Sequence, residues 1–91
     1  MAGMEREMLL EELRETVEQL GYKIRYERGD FNGGACILRE ERLLVVNKRF
    51  QLERKISVIA RALGDLGVDA IFVKPAVREV IDIEKGKLEN A

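Results

Sequence analysis

Residues 42–66 read RLLVVNKRFQLERKISVIARALGDL, and the rest of the chain has to pack around them. The run Leu43 to Val46 is short, rich in β-branched residues and uniformly apolar, which predicts a strand covered on both faces or lying centrally in a sheet. After a basic connection, Leu52, Ile56, Ile59, Leu63 and Leu66 follow one another at steps of four, three, four and three. That spacing predicts a helix with all five side chains on one stripe. Ala60 and Ala62 widen the stripe and admit a close neighbour. Burying five such side chains is worth on the order of 10 kcal/mol, an upper bound because the unfolded chain already hides part of the area. The stripe therefore needs a sheet or another helix beneath it.

Upstream, residues 4–20 are predicted as an amphipathic helix with Leu10, Leu13, Val17 and Leu20 on its inner face, broadened by Met8 and Leu9. Gly21 is placed to end it in a left-handed cap. The segment has six glutamates against two arginines, a net charge of −4, and reads either as a solvated face or as a docking surface for a basic partner. Residues 22–28, YKIRYER, alternate apolar and charged side chains, as a strand with one wet face does. GDFNGG follows, with Asn32-Gly33 as a hairpin signal because both residues tolerate positive φ. ACILR, residues 35–39, reads as a second strand linked by Glu40-Glu41 to the third, so that residues 22–47 form an antiparallel meander.

Gly64 and Gly67 are expected to end the central helix. VDAIFVK, residues 68–74, reads as a fourth short strand, and Pro75 opens a last helix, PAVREVID, with Val77, Val80 and Ile81 facing in. From Glu84 the polar composition predicts a frayed tail over residues 84–91. The expectation is an α+β fold, a two-layer α/β sandwich of order α-β-β-β-α-β-α, formed as a single domain over residues 1–91. With both long helices on one sheet face, the other face is expected to carry Lys23, Arg25, Ile37, Arg39 and one alternating pair from Leu43 to Val46. That face needs cover, from the last helix or from a second copy of the chain.

Composition narrows the function. Of 91 residues, 46% are hydrophobic and 36% charged, enough for one modest core burying roughly 64% of the extended chain's surface. The net charge of −1 argues against binding nucleic acid over the whole surface. One cysteine excludes an internal disulfide, and the lack of a leader-like or membrane-length apolar run makes the cytoplasm the expected compartment. The chain has no histidine. It thus lacks the commonest general base and zinc ligand, so no cofactor or metal and no enzymatic activity are expected.

The first candidate site is the basic connection, where Lys48, Arg49, Arg54 and Lys55, with Arg42, face Glu53 alone. Lys48 and Arg49 immediately precede a helix start, which favours a phosphate or carboxylate; the plainer reading is a solvated loop. GDFNGG fits neither a Walker loop nor a dinucleotide fingerprint. Asp30 and Asn32 are a fragment of a calcium loop without its closing glutamate, which leaves a hairpin tip with Phe31 as a possible contact. Cys36 reads as a small buried hydrophobe sooner than a catalytic thiol, since only Arg or Lys is available to activate it. Asp65 with Asp69 and Glu79 with Asp82 flank element ends and read as caps or surface charge.

The stretch GGACILREERLLVVNKRFQLERKISVIARAL followed by DAIFVKPAVREVI is similar to short bacterial proteins with no assigned activity. Its hairpin and helix also look like the central piece of small zinc peptidases whose helix bears HExxH; ERKISVIARAL has no histidine, so the likeness implies a metal-free, peptidase-inactive relative. In element order alone, residues 4–66 resemble the double-stranded RNA-binding domain. That family has Gly-Pro-x-His in its first strand loop and a KKxAK helix start, where this chain has GDFNGG and QLERKIS. Taken together, these readings point to a non-enzymatic domain that binds protein, most simply itself as a homodimer. The alternative is an anion- or RNA-binding module at Lys48, Arg49, Arg54 and Lys55.

Overall fold

A computed structural model describes residues 4–29 and 34–89, with side chains up to Gly86. Its elements are α1 (Arg6–Gln19), β1 (Lys23–Glu27), β2 (Ala35–Leu38), β3 (Leu43–Asn47), α2 (Leu52–Leu66) and α3 (Pro75–Glu89). The α+β fold is the one expected, but the sheet is mixed. Its order is β1-β3-β2, with β1 parallel to β3 and β2 antiparallel to it. The first two strands therefore do not pair as a meander requires. The expected turn residues Asp30, Phe31, Asn32 and Gly33 lie outside the described residues. The physical reason for the order is the third strand itself: Leu43 to Val46 are all buried, and only the middle of three strands offers neighbours on both edges.

The register sorts the side chains by face. Ile24, Leu44 and Ile37 share one side with Tyr26, Val46 and Ala35, and Leu44 and Val46 join the main core with Leu13, Val17, Ile59 and Leu63. On the opposite side Lys23, Leu43 and Leu38 form one row, and Arg25, Val45 and Cys36 the next. Ile37 is thus an inner residue and not part of the outer face as expected. Cys36 is exposed, because β2 is an edge strand whose outer face no helix covers.

α1 ends as its glycine indicated. Gly21 has φ +85°, its N–H donates to Glu18 O at 2.9 Å, and the Tyr22 N–H donates to Val17 O at 3.1 Å. This is the paired bonding of a Schellman cap, which turns the chain into β1. In α2, Ile56, Ile59 and Leu63 are buried as the stripe predicted, while Val58, Ala60 and Ala62 are buried as well. α2 is enclosed on several sides because it lies between the sheet and α3. Val58 stands at Gly34, at the head of β2, whereas the Ser57 hydroxyl donates to Glu84 at 2.8 Å and Gly64 faces Lys85. Gly64 sits inside the helix and does not end it. Gly67, with φ +87°, does.

Residues 68–74 form no strand. They carry the chain from α2 to α3, which itself touches no strand, and their apolar side chains cover the core instead of pairing in the sheet. Val68 is buried and Ile71 and Val73 pack on the core. α3 contacts α2 and α1 but no strand, with Val77 and Ile81 buried. The helix runs on to Glu89 instead of fraying at Glu84. That carboxyl is buried at the α2–α3 contact, where Ser57 donates to it.

Gly34 is the position where the chain tolerates no side chain. Its φ is +85°, and a Cβ there would stand 2.8 Å from the Phe50 ring and 3.1 Å from Val58. Gly34→Ala is expected to cost at least about 2 kcal/mol, from left-handed strain and overpacking together. Urea unfolding followed by circular dichroism measures the loss.

Candidate functional site

The parallel pairing of β1 with β3 brings their carboxyl ends side by side, and the loops that leave them meet. Lys48 N–H donates to Glu27 O at 2.8 Å. Asn47 ties the two loops together: its Nδ2 donates to Gly29 O at 2.8 Å, and its Oδ1 accepts from the Arg49 N–H at 2.9 Å. This brace sets Arg28 and Arg49 on the walls of one open cleft of about 300 Å³, lined otherwise by Gly29 and Asn47. Among the described residues Arg28, Lys48 and Arg49 enter no ion pair. Three cations thus gather at one end of the sheet, beside the start of α2, where free N–H groups add to the positive potential.

The four basic residues expected to act together are divided. Arg49 lines the cleft, and Lys48 precedes it in the chain with its N–H bonded to Glu27 O. The Arg54 guanidinium lies over the Phe50 ring, 5.1 Å from its centroid, and the Lys55 ammonium lies over Tyr26 at 4.9 Å. Both contacts are cation–π in kind and hold the charge against the protein. Arg42 is at the other end of β3, next to Gly21. Arg28, which the sequence reading left out, takes a place in the cleft. The signal for it was its position as the last residue of YKIRYER, and only the parallel register makes that position matter.

The acidic helix is partly neutralised within the molecule. Arg14 bonds Glu11 and Glu18 and Lys74 reaches Glu12 at 2.9 Å, whereas Arg6 of the same helix spends its charge on Glu53 of α2, at 3.3 Å. The hydrogen bond from Arg14 holds the Glu11 carboxyl below the ordinary carboxylate range, and the bond to Glu12 raises Lys74. Such exposed pairs add little stability singly. Burial pushes the Tyr26 phenol up.

Other candidates separate in the same way. Asp69 and Asp82 both approach Arg78, at 3.1 and 3.9 Å, and pin the α2–α3 loop to α3. Cys36 stands exposed on the outer sheet face, opposite Val45. Among the described residues no group of three or more Cys, Asp or Glu side chains is placed to hold a metal ion. A second hollow of about 330 Å³ lies between α1 and α3, floored by Leu9, Val80 and Ile83. Among the described residues no helix is long and apolar enough to cross a membrane. Compared with protein-family models, curated proteins and solved structures, the chain matches none.

Because Asn47 alone joins the two loops through its side chain, Asn47→Ala is expected to lower stability by about 1 kcal/mol. It should also let Arg28 and Arg49 drift apart. Chemical denaturation gives the first, and backbone amide shifts confined to residues 28–29 and 47–50 give the second.

Proposed function

We propose that the protein is a non-enzymatic binding domain that works by self-association through its sheet. The observation that carries this reading is the edge strand β2. The core packs on the inner side of the sheet, with Leu44 and Val46; on the outer side Leu43 and Val45 are closed off, whereas Cys36 is exposed and Leu38 half-buried. β2 is built from Ala, Cys, Ile and Leu only. An uncharged, apolar edge strand favours a protein partner over water. With Arg14 and Lys74 engaging three of its six glutamates, α1 is less suited to that partner than the sheet edge is. In this reading the protein acts in a bacterial cytoplasm, where its one thiol stays reduced. Sedimentation equilibrium at tens of micromolar and physiological salt is expected to give the mass of a dimer, and a monomer overturns the reading.

A second reading, an anion-binding module, is favoured by the cleft. Arg28 and Arg49 line it, Lys48 is next to Arg49 in the chain, and none of the three has an ion-pair partner among the described residues. Arg54 and Lys55 belong to this reading only as helix-start charges already set over aromatic rings. Retention on an RNA or phosphate matrix is expected to weaken steeply with salt, and to vanish when Lys48 and Arg49 are both replaced by Glu. Failure to bind at low salt removes it.

A further inference from the structure

We infer that self-association proceeds by antiparallel addition of β2 to β2 of a second copy, in the register that sets Cys36 opposite Cys36 of the partner. This rests on the self-association reading above and names its geometry.

The hydrogen-bond parity of the sheet leads to it. Lys23 N–H donates to Arg42 O and Lys48 N–H to Glu27 O, so the even-numbered residues of β3 turn their backbone groups toward β1. The odd-numbered ones, Leu43, Val45 and Asn47, turn toward β2, as the bond from Asn47 N–H to Gly34 O confirms. With Leu38 opposite Leu43 and Cys36 opposite Val45, residues 34, 36 and 38 spend their backbone groups on β3. Ala35 and Ile37 are left with N–H and C=O pointing away from the sheet. Those are the groups a further strand would take up.

The two edges of the sheet are not alike. β1 is guarded by Lys23, Arg25 and Glu27, the kind of charge that keeps an edge from pairing. β2 has no charge and no proline among its four residues. Of the two-fold registers open to so short a strand, the one centred on Cys36 opposes residues 35–37 of both copies and pairs both outward-facing residues of each with one another. Ala35 then faces Ile37 of the second copy, Ile37 faces Ala35, and all four outward N–H and C=O pairs are met. Cys36 falls on the two-fold axis as a non-hydrogen-bonded pair, the closer of the two antiparallel pair types, with Cα atoms about 4.5 Å apart. The result is a six-stranded sheet, β1-β3-β2-β2-β3-β1, with charged β1 at both outer edges and the Cys36 and Leu38 side chains gathered at its centre. The unguarded edges vanish.

Cys36 reports on this register. About 4.5 Å lies at the short end of the range a disulfide spans, so mild oxidation with diamide is expected to join the two copies. Diamide takes the two protons and two electrons of the thiol pair and is reduced to the hydrazine. In the Cys36→Ser/Leu38→Cys variant the two thiols are four residues out of step, roughly 13 Å apart along the strand, and cross-linking is expected to be at least tenfold slower. Ala35→Pro removes an outward N–H that β3 does not use. It is expected to sediment as a monomer while keeping the helical circular dichroism of the parent. Equal cross-linking at positions 36 and 38, or a folded Ala35→Pro protein that remains dimeric, overturns the register but leaves self-association standing. A parent protein that is monomeric throughout overturns both. The thiol comparison stands without the proline variant should that variant unfold.

Discussion

The backbone of β3 divides its hydrogen bonds between two strands that run in opposite directions, and the remaining architecture follows from that division. Parallel pairing with β1 aligns the carboxyl ends of two strands at Glu27 and Asn47. Antiparallel pairing with β2 fills the other edge from a tight turn at residues 39–42, where Arg42 takes φ +53°. Once β3 is central, α2 must leave from beside β1 and cross back over the sheet, and α1 takes the place over β1. The four apolar residues of β3 are the reason this arrangement is favoured. Leu44 and Val46 are sealed under the helices, and Leu43 and Val45 are held between the flanking strands.

Much of this was legible in the chain. The 4-3-4-3 spacing of α2 marks a helix, and the glycine after Leu20 marks where α1 turns. The pairing order was harder to read because alternation and turn residues are local signals, whereas the partner of a strand is a long-range matter. The clue was nevertheless present. A meander would put residues 35–38 in the middle, yet the strand with four successive buried side chains is the third, and a uniformly apolar strand belongs in the centre. VDAIFVK misled for a related reason: Val68, Ile71 and Val73 are apolar to cover helices, and nothing in their spacing distinguishes that from a strand. Glu84 misled by being polar, although a carboxyl with a hydroxyl donor at its side is readily buried.

The charged residues show how little a linear count says about a surface. Lys48, Arg49, Arg54 and Lys55 are near neighbours in sequence, yet a helix start turns two of them onto Phe50 and Tyr26 and leaves Arg49 in the cleft with Lys48 before it. Arg28 joins that pair from 20 positions upstream, held by the bond between Asn47 and Gly29. The acidic helix carries −4 by count, and Arg14 and Lys74 between them engage three of its six glutamates. What remains as an unanswered demand on the surface is the uncharged edge strand β2.

Among the described residues α3 packs on helices and touches no strand. It is fastened to the helices by Val77 and Ile81, by the close approach of Lys85 to Gly64, and by the Ser57–Glu84 hydrogen bond. Its detachment would expose one side of α2 and leave the ladder intact, so the native molecule has a built-in first step of opening that is separate from global unfolding. Amides of residues 75–89 would then trade their protons for solvent on a faster clock than those of β3, and the two halves of one small chain would differ in lifetime.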